Sequence, residues 1–126
     1  MLNEREAQLQ QIEISLEDAQ SNVALAEKLN RLHKNKDFQD LIIEGYFKDE
    51  ASRAVLLKSD PEMCEDREQK QIGDIITSIG GLRQYFHKVF RLGQMSEQSM
   101  EADKQTRQDL LAEDLTTVEG SGEVLQ

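Results

Sequence analysis

The residues of this chain best equipped for chemistry are His33, Cys64 and His87. A thiol beside an imidazole makes an activated nucleophile, and clustered cysteines and histidines hold zinc. The spacing supports neither use. His33 and His87 lie far apart in the sequence, neither belongs to a metal-binding motif, and Cys64 has no second cysteine at finger spacing. A Cys64–His87 pair would have to be assembled by the fold, and nothing else in the sequence supports it. An exposed bystander thiol is the simpler reading.

The other candidates are weighed in the same way. Gly73, Gly80 and Gly81 fall within a helical apolar pattern, with no preceding strand and no Gly-Lys-Ser or Gly-Lys-Thr ending, so they cannot form a phosphate-holding loop. The many carboxylates lack the alternating spacing of a calcium loop. A general acid and base pair also needs a walled cleft to separate the two pKa values, and slender helices rarely provide one. One stretch stands out, in which Arg83, Tyr85, Phe86, His87, Lys88, Phe90 and Arg91 interleave cations with aromatics. Such a pattern can stack on bases. Phe86 and Phe90, however, fall on an apolar helix face, and Arg83, His87 and Arg91 share a separate stripe suited to a protein contact.

The elements that must position these residues are helices. Leu2, Leu9, Leu16, Val23 and Asn30 recur every seven residues, with Ile12, Ala19, Ala26 and His33 between them, which predicts a coiled-coil-like helix over residues 2–35. Leu2, Leu9, Ile12, Leu16 and Val23 are its candidate oligomer or partner seam. Near its end Leu25, Leu29 and Leu32 change the phase, so the inner half is expected to pack on the chain's own body while the outer half seeks a partner. Asp37 reads as the N-cap of a second helix whose apolar positions are Phe38, Leu41, Ile42, Tyr46, Ala51, Val55 and Leu56. Pro61 ends it. A third helix follows with the most apolar face, from Ile72 to Phe90, in which Gly80 and Gly81 mark a kink, a break or a close crossing, the continuing apolar period favouring a crossing or a kink, and Gly93 caps or weakens the helix.

The expected fold is all-α: an extended helical hairpin or small bundle with a long N-terminal coiled-coil-like helix and an acidic C-terminal tail. Its parts are an arm (1–36), a helical core (37–93, helices about 38–58 and 68–92) and a partly helical to disordered tail (94–126).

Composition agrees with a small core. Aromatics make up 5% of the 126 residues, charged residues 32%, and the net charge is −10. Residues 94–126 hold eight acids and two bases, so the tail carries most of the acidity. That balance argues against direct nucleic-acid binding, which rests on Lys and Arg neutralising phosphates. It favours contact with basic surfaces. The single cysteine gives no intramolecular disulfide, and no stretch reads as a signal peptide or a membrane span, so a soluble protein with no cofactor and no membrane partner is expected.

Asp37-Phe38, Leu41-Ile42-Ile43-Glu44-Gly45-Tyr46-Phe47, Ala51, Arg53, Val55-Leu56-Leu57, Asp60-Pro61 and Ile79-Gly80-Gly81-Leu82-Arg83-Gln84-Tyr85-Phe86 resemble a family of small acidic helical proteins of tailed bacteriophages. The resemblance covers about residues 9–115. It implies a phage origin and a place among virion structural or assembly proteins, but no activity and no functional residues. The resulting expectation is a non-enzymatic head-, portal- or connector-associated or scaffolding protein. It would self-associate, bind a phage head, portal or connector protein, and occur in the host cytoplasm during infection and in the virion. Two alternatives stand beside it: an acidic nucleic-acid mimic that regulates a host or phage enzyme, and a small DNA-packaging subunit.

Overall fold

The computed structural model describes the backbone of residues 2–125 and the side chains of residues 2–113. Among the described residues there is no strand, and the fold is all-α. Helix α1 spans Glu4–His33, a single turn α2 spans Lys36–Phe38, a π-helix spans Gln39–Glu50, and α3 spans Ala51–Lys58. A 3-10 turn at Pro61–Met63 then leads into α4, Asp66–Leu125.

The chain divides into two compact units, residues 1–25 with 92–126, and residues 26–91. This division differs from the expected arm, core and tail. Its cause is α4, which does not stop at Gly93. Along α4, Ile79, Phe86, Gly93 and Met100 recur every seven residues, as do Leu82, Val89, Ser96, Asp103 and Leu110, and all nine are buried or half-buried. The heptad therefore runs on through small and polar residues after its leucines and isoleucines give out.

In the first unit α1 opens on a capping box. Asn3 Oδ1 accepts from the Glu6 N–H at 2.7 Å, and Glu6 Oε2 accepts from the Asn3 N–H at 3.3 Å. The seam side of α1 then meets the distal part of α4. Ser15 Oγ donates to Asp103 Oδ2 at 2.7 Å, Asn22 Nδ2 donates to Ser96 Oγ at 3.1 Å, and Arg5 pairs with Glu113 at 3.6 Å. As the α1 partner advances by ten and then seven residues, the α4 partner retreats by the same steps, so the two segments run antiparallel in constant register. Leu16 and Ala19 are buried in this pairing, while Leu9, Ile12 and Val23 are half-buried. The outer half of the arm is thus covered by its own chain, and of the five seam residues only Leu2 stands exposed.

In the second unit Asn35 provides the turn out of α1. Its Oδ1 accepts from the Phe38 N–H at 3.0 Å, so Asn35 is the cap, and not Asp37 as the sequence suggests. Of the three residues expected to change the seam's phase, only Leu29 is buried, and Leu25 and Leu32 point to solvent. The next element departs furthest from expectation. In a π-helix each carbonyl bonds five residues ahead, which widens the turn. The half-buried positions accordingly fall at Phe38, Ile42 and Ile43, Tyr46 and Phe47, and Glu50 and Ala51, at intervals longer than the α-helical 3.6. Leu41, Val55 and Leu56, which an α-helical reading places in the core, are exposed instead, Leu41 at 71% and Leu56 at 72%.

Glycine has opposite meanings in the two helices. A Cβ on Gly45 would lie 2.9 Å from the carbonyl oxygen of Asp40, so the wide turn needs glycine there. A Cβ on Gly73, Gly80 or Gly81 would meet nothing within 4 Å. These three mark no close crossing, and α4 passes through Gly80, Gly81 and Gly93 without a break. The core itself is thin. Among the described residues no large side chain is fully buried, and the most deeply enclosed is Ala54, at 0% exposure.

Candidate functional site: an open aromatic groove

An open groove of about 820 Å³ lies within the second unit. Each wall follows from a local feature of the sequence. The π-helix supplies Ile43, Phe47 and Lys48. Its wide pitch turns Ile43 and Phe47 to the same side. Helix α3 packs through Ala54, which leaves Val55 and Leu56 to line the groove from outside the core. From α4 come Arg83, Phe86, His87 and Phe90, one helical turn apart along one face.

The floor is an aromatic cluster centred on Phe86. Its ring centroid lies 5.9 Å from Phe38, 5.8 Å from Phe47 and 6.0 Å from the imidazole of His33. His33 also meets Phe38 and Phe90, each at 5.4 Å. Tilted and edge-on contacts at these distances contribute about 0.5–1.5 kcal/mol each beyond the area they bury. His33 Nδ1 lies 3.2 Å from the Leu29 carbonyl, to which it donates. The His33 carbonyl accepts from Gln39 Nε2 at 2.7 Å. The end of α1 is thereby tied to the start of the π-helix.

The polar side chains around this floor are Lys48, Ser52, Arg83 and His87, with His33 in the floor itself. No Asp or Glu lines the groove, although acids outnumber bases by 25 to 15 in the chain. Lys48 is partly offset by Glu44, whose Oε2 lies 3.4 Å from its Nζ. Arg83 has no carboxylate partner among the described residues, and both it and His87 are exposed. Below the groove a fork from Arg53 holds Glu50, Nε to Oε2 at 3.0 Å and Nη2 to Oε1 at 2.5 Å, across the junction of the π-helix and α3. Those hydrogen bonds set the Glu50 carboxyl below the usual carboxylate range and raise the Arg53 guanidinium.

Two of the three residues of the sequence-derived stripe, Arg83 and His87, meet in this groove, while Arg91 is exposed and does not line it. The seam set Leu9, Ile12, Leu16 and Val23 belongs to the first unit and forms no part of it. Cys64 is exposed after the 3-10 turn and is not a groove residue, so no thiol stands beside His87 there. Among the described residues no three His, Cys, Asp or Glu side chains gather as metal ligands, and no helix is long and apolar enough to cross a membrane. Sequence reasoning missed Ile43 and Phe47 as site residues, and weighed His33 as a metal ligand and not as part of an aromatic floor. The pairing of Phe47 with the Phe86 segment was the available signal.

No family model matches the chain, and no curated protein or solved structure is similar to it. The groove must therefore be read from its own chemistry.

Proposed function

We propose that this protein is a non-enzymatic virion structural or assembly component of a tailed phage, which acts by binding protein in the aromatic groove. The observation that carries the reading is the exposure of large apolar side chains on a concave, aromatic-floored surface. Val55 and Leu56 stand at its wall with more than half of their surfaces in water, an arrangement that repays cover by a partner side chain. The phage assignment rests on the resemblance in sequence. Its two most specific segments, Glu44-Gly45-Tyr46-Phe47 and Ile79-Gly80-Gly81-Leu82-Arg83, each contribute a groove residue, Phe47 and Arg83. An excess of acids elsewhere on the chain supports protein over nucleic acid as the bound class.

The test is mass spectrometry of purified particles, with the native chain and with Leu56→Glu. The native chain is expected at fixed copy number, and the variant is expected to be depleted at least roughly tenfold, as for loss of an apolar anchor. Leu56 is exposed, so the variant should keep native helicity. Absence of the native chain from both mature and immature particles would overturn the structural role and leave a cytoplasmic regulator.

A further inference from the structure

The chain contains a segment complementary in character to the groove. Residues 108–119 hold four acids, Asp109, Glu113, Asp114 and Glu119, and no base. Within them Leu111, Leu115 and Val118 recur at i, i+4 and i+7, the spacing by which a helix presents apolar anchors to a groove. This stretch belongs to α4, and Leu111 is 44% exposed although its neighbour Leu110 is half-buried in the seam. Asp109 is exposed and accepts from Gln105 Nε2 at 3.1 Å, while Glu113 is engaged by Arg5.

We infer that the groove of one molecule receives the acidic Leu111 segment of a second copy. Three properties of the groove favour this occupant. Its floor is aromatic and its wall is formed by Val55 and Leu56, a surface suited to a leucine anchor. Its rim presents Arg83, His87 and Lys48 with no lining acid, on a chain whose net charge is −10. An acidic segment is drawn to a rim of that character. The contact joins two different patches, which makes it heterologous: each copy offers one groove and one acidic segment, and successive copies add head to tail into a ring or a filament. This inference rests on the protein-binding reading of the groove and names a second copy as the partner.

Sedimentation equilibrium of the full chain tests it, using Leu56→Glu to disable the groove and Leu111→Glu to disable the segment. Both positions are exposed, and circular dichroism verifies that both variants fold. The native chain is expected to associate at micromolar concentration, and more weakly when salt is raised from about 50 to 500 mM. Each variant alone is expected to remain a monomer. Mixed together, they are expected to form a dimer of one of each that grows no further, since one intact groove and one intact segment remain. A monomeric native chain, a Leu111→Glu variant that associates like the native one, or a mixture that stays monomeric would each overturn the inference. If the native chain is monomeric but Leu56→Glu still depletes it from particles, the second copy is refuted as occupant and the groove reading survives. If Leu56→Glu associates normally and enters particles normally, both fail.

Discussion

Gly45 and Gly81 carry the same residue type with opposite consequences. At Gly81 an added methyl meets open space in a helix interior, where glycine is weaker than alanine by about 0.5–1 kcal/mol. Gly81→Ala is therefore expected to raise stability by roughly that amount in a urea titration. At Gly45 the methyl would press on the Asp40 carbonyl, so the wide turn must shift or rewind. Gly45→Ala is expected to cost about 1 kcal/mol and to disturb the groove through Ile43 and Phe47. A stabilised Gly45→Ala protein would show that the wide turn is not what holds those two residues. The Glu50–Arg53 fork makes a separate case at the end of the same π-helix. Because the folded Glu50 carboxyl lies below its unfolded value, the fork contributes above the ordinary glutamate value of about 4.3 and is lost as pH falls through the lower folded value. In a carboxyl NMR titration, Arg53→Met should move the Glu50 midpoint upward, and an unmoved midpoint would mean the fork does not persist in solution.

Between elements the deciding feature is which face each helix turns inward. Helix α3 buries Ala54 completely and exposes the larger Val55 and Leu56. Ala54→Leu adds volume to an enclosed position and is expected to destabilise the fold by about 1–3 kcal/mol, measured by thermal unfolding. A substitution to leucine at the exposed Ser52 serves as the control and should leave the melting point nearly unchanged. The inward face of α1 was legible in the sequence, because Leu9, Ile12, Leu16, Ala19 and Val23 keep one heptad and all turn inward. The covering partner was not, because α4 continues that pattern with Gly93, Ser96 and Asp103, which hydropathy scores as a polar tail. The pairing of Asp103 with Ser15 and of Ser96 with Asn22 becomes visible only once two helices are set in register. The groove was half legible for a different reason. Arg83, His87, Phe86 and Phe90 keep α-helical spacing and were read together, whereas Ile43 and Phe47 lie in a π-helix, where a period of 3.6 assigns the wrong face and sends Leu41 inward.

At the scale of the whole molecule, the chain divides into two units, each with its own buried residues. The first is a two-helix pairing held by Leu16 and Ala19 and by polar contacts that fix its register. The second adds the π-helix and α3, and its core rests on Ile72, Ile79, Ala54 and the Phe86 cluster. A truncation in one unit should therefore be felt mainly there. Leu16→Ala removes one of the few buried leucines, at a cost of about 2 kcal/mol, the low end for a side chain in so thin a core. Hydrogen exchange should then show faster exchange across residues 2–25 and 92–113, with residues 26–91 nearly as protected as before. Equal loss of protection in both units would mean that the shared helices α1 and α4 couple them into one cooperative structure. Confinement to the first unit would leave the groove intact while the segment proposed to enter it, around Leu111, is loosened. Leu16→Ala should on that account weaken head-to-tail association without altering the groove's own aromatic packing.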